Sequence, residues 1–252
     1  MKDTFLGYVV LMLVAALCGF APALLNLVVD PYELVFERDR SPDIEELAEK
    51  AHYPLWKLSR HERGRFDTLI LGDSRARALQ DKYWHSLGIE GAMNLAYGGG
   101  TLPEIHETFQ YVKDDPALKT LIIGIQLRSF DEDHKQGMNR VPEAVSLIGN
   151  PVEYIFNWSV AKTSLSVARA DYPLVDRFVA SLGVTRANAA EVGDLPAKFQ
   201  RQINRNARSD WRGFEQSQTY WRYLEEIGNW AKAPDRRVVF VVPPTVTQMQ
   251  QT

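Results

Sequence analysis

The chain has 252 residues, 45% of them hydrophobic and 24% charged, with a formal net charge of −3. That is an ordinary globular composition in a length that suits one sizeable domain, or one domain with an anchor. The charge balance gives no global field for nucleic acid. There is no zinc-ligand spacing, P-loop or dinucleotide fingerprint, and the single cysteine, Cys18, excludes an internal disulfide. Neither a cofactor nor a metal is expected.

The first element is "FLGYVVLMLVAALCGFAPALLNLVV", Phe5 to Val29, which holds no charged residue. A helical bilayer crossing takes about 20 residues, so this run is long enough. Ala21-Pro22-Ala23 has the form of a signal-cleavage site, but the following "LLNLVV" is still apolar. Signal h-regions run to about 7–15 residues, so an uncleaved anchor over residues 1–30 is preferred to a cleaved signal. A lipoprotein site at Cys18 is disfavoured by the bulk of Leu17. Lys2, offset by Asp3, precedes the run, and Asp30, Glu33, Glu37, Arg38, Asp39 and Arg40 follow it. The Lys and Arg bias across the run is slight. The short N-terminal segment is most simply left in the cytoplasm, with the remaining chain facing the periplasm or the cell exterior.

Asp30-Pro31-Tyr32 ends the apolar helix, as the restriction on the residue before proline suggests. Residues 31–64 read as a linker with an amphipathic helix over Asp43–Arg63, its apolar positions Ile44, Leu47, Ala51, Leu55 and Leu58 near one face. "DTLILG" is then a buried strand, "RARALQDKYWHSL" a helix, and "GAMNLA", Gly91 to Ala96, a second short strand before "YGGGT". Thr101-Leu102-Pro103-Glu104 has the form of a capping box with an early proline, which starts a helix lined by Ile105, Phe109 and Val112. "KTLIIGIQL", Lys119 to Leu127, and "RRVVFVVPP", Arg236 to Pro244, complete four strands, continuously apolar as buried parallel strands are.

Strands alternating with helices define an α/β fold, a parallel sheet flanked by helices in three layers. The stretch from Phe130 to Pro234 is long for a connection and reads as a helical insertion. Within it, "FQRQINRNARSDWRGFEQSQTYWRYLEEIGNW" is basic and then rich in Trp and Tyr. Its aromatic rings are either sugar platforms or helix packing.

Ligands of an open parallel sheet bind outside the carboxyl ends of its strands. Gly72-Asp73-Ser74 ends the first strand, Asn94 and Gly98-Gly99-Gly100 the second, and Gly124-Ile125-Gln126 the third. A serine, unhindered backbone N–H groups and a side-chain amide therefore converge on one edge. Those are the parts of acyl transfer, a nucleophile with donors for the developing oxyanion. The plainer reading of Ser74 is an N-cap, and of Gly98–Gly100 a tight turn with positive φ. Arg75 and Arg77 either receive an anionic group or form a solvated face.

"LILGDSRA" resembles the first block of the SGNH (GDSL) hydrolases, and "NLAYGGGT" is similar to their second, in the same order and at similar spacing. The resemblance covers Asp67 to Leu127, and "VVFVVPP" fits a later strand. The apolar N-terminus, "VVDPY" and the long insertion resemble a membrane-bound branch linked to O-acylation of exopolysaccharides. The resemblance implies a residue 65–252 domain of SGNH/flavodoxin-like type with its insertion at 130–235. It implies Ser74 as nucleophile, with its own N–H and that of Gly99 as oxyanion donors. Gln126 stands where the family carries an asparagine.

The family's carboxyl-terminal Asp-x-x-His has no counterpart after the fourth strand, and no histidine follows His134. Three expectations stay open: a chain lacking its carboxyl-terminal part, a homologue without catalysis, or a base from elsewhere. The internal candidate is Asp131-Glu132-Asp133-His134, which follows the third strand with His134 as base and Asp131 as its partner. His52 and His61 fall on the amphipathic helix, His85 ends the next helix, and His106 reads as a surface residue. The resemblance implies a single-pass protein of a bacterial inner membrane, a serine esterase or O-acyltransferase for a cell-surface carbohydrate. The alternative is an inactive SGNH-like assembly partner of envelope polysaccharide machinery, with a plain lipase or thioesterase behind both.

Overall fold

Short apolar runs separated by helical segments leave their backbone groups to be paired at a distance, and here they pair side by side in parallel. The computed structural model describes residues 12, 19–79, 84, 86, 89–132, 138–183 and 215–242. In chain order the elements are α1 (19–29), α2 (Pro42–Ala51), α3 (Tyr53–His61), β1 (Thr68–Gly72), β2 (Ala92–Asn94), α4 (Leu102–Val112), β3 (Thr120–Gly124), α5 (Val141–Gly149), α6 (Pro151–Phe156), α7 (Trp158–Asp171), α8 (Pro173–Ser181), α9 (Gln218–Trp230) and β4 (Arg237–Val241). Two compact units divide the chain: Met1–Ser59 with Glu143–Arg186, and Arg60–Pro142 with Ala187–Thr252. The expected insertion is therefore shared between the units.

The second unit holds the sheet, with strand order β2-β1-β3-β4 and every pairing parallel. Thr68 pairs with Ala92 on one side and Thr120 on the other, and Gly72 with Gly124, so β1 and β3 end level. Ile70, Ala76, Ala92 and Ala96 form a buried cluster closed by Trp84, Ile89 and Ile122. Helix α4 begins at the expected capping box, with Thr101 and Glu104 exchanging hydrogen bonds, and buries Ile105, Phe109 and Val112. Phe109 meets Trp230 of α9 edge-on at 6.2 Å, and Trp230 Nε1 donates to Lys113 O. The result is an α/β fold, a parallel sheet flanked by helices.

Three expectations change in detail. All of β1 is buried, but β4 is not: Val239 and Phe240 are 41% and 49% exposed. As the last strand in the order, β4 has, among the described residues, β3 on one side only. The helix expected over Arg75–Leu87 starts as a 3-10 turn, Ala76–Ala78; Trp84 and Ser86 are helical, and 80–83, 85 and 87–88 lie outside the described residues. The helix expected over Asp43–Arg63 is two, broken at His52, whose non-helical backbone ends α2. Pro54, two residues later, has no N–H to offer Lys50 O, so it interrupts a continuous helix but is tolerated in the first turn of a new one. The break shifts the apolar phase: Ile44, Ala48, Leu55 and Leu58 are buried, whereas Leu47 and Ala51 are exposed.

In the first unit, "VVDPY" is a built turn. Asp30 is buried at positive φ. Its Oδ1 accepts from Leu34 N (3.0 Å) and the Tyr154 hydroxyl (2.7 Å), and its Oδ2 from Val35 N and Phe36 N (2.8 and 2.7 Å). Arg38 and Arg40 donate to Val28 O and Val29 O, so two cations complement the carboxyl end of α1. Among the described residues no helix is long and apolar enough to cross a membrane; 1–11 and 13–18, most of the expected anchor, lie outside them.

Candidate functional site at the carboxyl edge of the sheet

The strand order reverses between β1 and β3, which makes the crevice beyond their carboxyl ends the place where this architecture binds ligands. The backbone there is drawn tight by small residues. Gly72 adopts φ 150°, and a Cβ at that position would lie 2.6 Å from both Ala76 Cβ and Gly124 O. A Cβ on Gly124 would lie 2.6 Å from Ala76 Cβ. Across the crevice, a Cβ on Gly100 would lie 2.6 Å from Gly72 O and 3.3 Å from Asp73 Cα. The glycine loop thus lies directly against the end of β1.

Ser74 is exposed on the turn that leaves β1. The turn is held by its neighbour: buried Asp73 accepts the Arg75 N–H on Oδ1 at 2.9 Å, and its carbonyl accepts from Arg77 N, while no side chain caps the 3-10 turn that follows. Asn94, at the end of β2, is buried and wholly occupied with shape. Its Nδ2 donates to Ala76 O (2.9 Å) and Leu79 O (2.7 Å), and its Oδ1 accepts from Ala96 N. It ties the second strand to the turn after the serine.

The loop from Tyr97 to Thr101 extends the sheet's bonding past the strands, with Leu95 N donating to Ile70 O and Tyr97 N to Gly72 O. Gly100 N closes a turn onto Tyr97 O, and Gly99 takes φ 71° within it, the conformation that glycine adopts at no steric cost. Tyr97 is buried and donates to Thr108 Oγ1 at 2.8 Å; burial pushes its hydroxyl far above the ordinary tyrosine range. Gln126 lies two residues beyond β3 and is half-buried, its carbonyl accepting from Ser129 N.

Beyond Gln126, Phe130–Glu132 pairs antiparallel with Glu215–Ser217 through an Asp131–Gln216 bridge. Asp131 is half-buried there, and His134 lies outside the described residues. The chain returns at Met138, whose carbonyl accepts from Thr101 Oγ1 at 2.6 Å.

One group that the sequence reading passed over organises this edge. Arg140 Nε donates to Glu104 Oε1 at 2.6 Å, its Nη2 to Glu104 Oε2 (3.1 Å) and Gly98 O (3.2 Å), and its backbone N to Glu104 Oε1 (3.2 Å). Glu104 is fully buried. The signal for it was the capping box: a glutamate held inside against the core needs a counter-charge, and arginine supplies a forked donor.

The described histidines serve elsewhere. His52 Nδ1 accepts from Leu55 N, and His61 is buried beside Phe66. His106, expected at the surface, stacks on Tyr223 at 3.9 Å and meets Glu226 at 2.8 Å. Hydrogen bonds from His106 and Gln110 hold the Glu226 carboxyl below its ordinary range. His85 lies outside the described residues.

The fold and edge define an α/β protein with a serine exposed at the switch point of a parallel sheet. No family model, curated protein or solved structure matches the chain.

Proposed function

We propose that the chain is a membrane-anchored, SGNH-like serine esterase or O-acyltransferase acting on a cell-surface carbohydrate. The observation that carries this reading is Ser74: it stands exposed beyond β1, with the turn held by Asp73 and the glycine loop packed against the strand end. In the reaction Ser74 Oγ attacks an ester carbonyl, its proton passes to a base, and the alcohol leaves from the tetrahedral intermediate. The acyl group then passes to water or to a sugar hydroxyl. Ser74 N–H, Gly99 N–H and the Gln126 amide are the proposed oxyanion donors, and a positioned donor of this kind is worth roughly 10²–10³ in rate.

The proposed base is His134, oriented by Asp131. The flanks of its segment lie on the carboxyl edge, Glu132 bonded to Glu215 and Met138 to Thr101. The N-terminal run would hold the domain at a bacterial inner membrane, facing the periplasm. An inactive partner of envelope polysaccharide machinery is the second reading, favoured by the engagement of His52, His61 and His106 elsewhere.

Hydrolysis of p-nitrophenyl acetate by the whole chain separates them. The enzyme reading expects activity that falls to background in Ser74→Ala and equally in His134→Ala. Activity lost in Ser74→Ala but kept in His134→Ala moves the base elsewhere. Activity kept in both ends the serine mechanism, and a folded wild type without activity favours the partner role.

A further inference from the structure

The carboxyl-terminal third of the apolar run is already committed to protein. Along α1, Ala23, Asn26 and Val29 are buried. Asn26 Nδ2 donates to Ile155 O (2.8 Å) and Asn157 O (3.0 Å), and its Oδ1 accepts from Ser164 Oγ (2.9 Å). These bonds pin α1 to the corner where α6 passes into α7. The opposite stripe of the same helix faces outward: Phe20, Leu24 and Val28 follow one another at i, i+4 and i+8, and are 61%, 62% and 57% exposed.

The corner itself is apolar. Phe156 meets Phe20 edge-on at 5.9 Å and is 58% exposed; Val152, one turn earlier, is 65% exposed, and Trp158, two residues later, is 64% exposed. Residues 19–29 carry no charge, and among 150–158 the one charged side chain is Glu153, whose carboxylate accepts from Ser146 Oγ at 2.6 Å. A contiguous exposed apolar surface of this kind marks an interaction site.

We propose that this corner rests in the interfacial zone of the bilayer that the N-terminal run enters. The inference deepens the anchor reading and rests on it. The argument for lipid over a protein partner is continuity. Residues 5–22, ahead of the docked part of α1, are uncharged, and as a helix they would measure roughly 27 Å at about 1.5 Å per residue. That approaches the hydrocarbon thickness of about 30 Å. A span of this reach delivers Phe20 to the membrane boundary, and the Phe20–Phe156 contact places the corner beside it. Tryptophan at that depth is the side chain that boundary favours.

The test uses the whole chain in a Cys18→Ser background, reconstituted into phosphatidylcholine–phosphatidylglycerol vesicles. Single cysteines enter by Val152→Cys, Phe156→Cys and Trp158→Cys, with Met12→Cys as the span reporter and Asp114→Cys as the water reference, each carrying an environment-sensitive fluorophore. The labels at 152, 156 and 158 are expected to shift to the blue and to be quenched by lipids bearing a shallow nitroxide more than by those bearing a deep one. The label at 12 should prefer the deep quencher, and the label at 114 should resist both. Water-like, unquenched labels at all three corner positions, with the label at 12 quenched, overturn the proposal and leave the anchor standing. Blue-shifted labels that no lipid quenches also overturn it, in favour of a protein partner. An unquenched label at 12 removes the anchor reading and the corner with it.

Discussion

Arg140 clasps Glu104 at 2.6 Å and reaches on to Gly98 O, so one guanidinium joins the start of α4 to the glycine loop. The carboxylate is wholly buried, whereas the arginine side chain keeps 25% of its surface in water. Removing the cation leaves an uncompensated buried charge. Arg140→Met should therefore cost about 2–4 kcal/mol, at or below the usual range for breaking a buried pair because Arg140 is partly solvated. The double variant with Glu104→Gln should recover part of that loss. Chemical denaturation of wild type and the two variants checks it, and equal stability of Arg140→Met and wild type would refute the clasp.

Gly99 and Gly100 should fail for different reasons. Gly99 sits at φ 71°, where an L side chain costs roughly 1–2 kcal/mol. Gly99→Val should lower stability by about that amount and, on the proposed serine mechanism, p-nitrophenyl acetate hydrolysis by the roughly 10²–10³ expected when a donor is displaced. Gly100 meets backbone, not a movable side chain, so Gly100→Ala must push the loop from the end of β1. Overpacking of that kind costs about 1–3 kcal/mol. Unfolding midpoints and p-nitrophenyl acetate rates, read together, separate the two.

His61 should make the fold sensitive to mild acid. Its ring is buried against Phe66, and neither ring nitrogen finds a hydrogen bond among the described residues. Desolvation lowers its pKa below the ordinary 6.5, outweighing the opposite pull of Asp115 at 3.5 Å. Below pH 6.5 the unfolded chain therefore takes up a proton that the folded chain refuses. Stability falls as the pH drops through that window, and its slope levels off once the folded pKa is passed. Unfolding midpoints between neutral and mildly acidic pH should show a shallower decline in His61→Phe than in wild type.

Asn26 holds α1 with three hydrogen bonds inside the first unit. Asn26→Leu strands two carbonyls and a hydroxyl, at a cost of about 1–3 kcal/mol for each buried group left without a partner. The loss should fall on the docking of α1, read as faster proteolysis near residue 26.

Local pattern was enough for much of this protein. The strands at Thr68–Gly72 and Thr120–Gly124 follow from short apolar runs ended by glycine, and the start of α4 from a four-residue capping box. The convergence of Ser74, Gly99 and Gln126 on one edge followed from parallel strands alone, because their carboxyl ends must share a side. Other features were decided in three dimensions. Apolar spacing does not reveal which strand lies outermost, so the exposure of Phe240 waited for the order β2-β1-β3-β4. The breaking of Asp43–Arg63 at His52 turned on a proline whose effect competes with a continuous helical pattern. Arg140 is 36 residues from Glu104, and no local rule pairs residues at that distance. Its partner was named by burial, since a carboxylate enclosed by the fold must find a cation wherever the chain brings one.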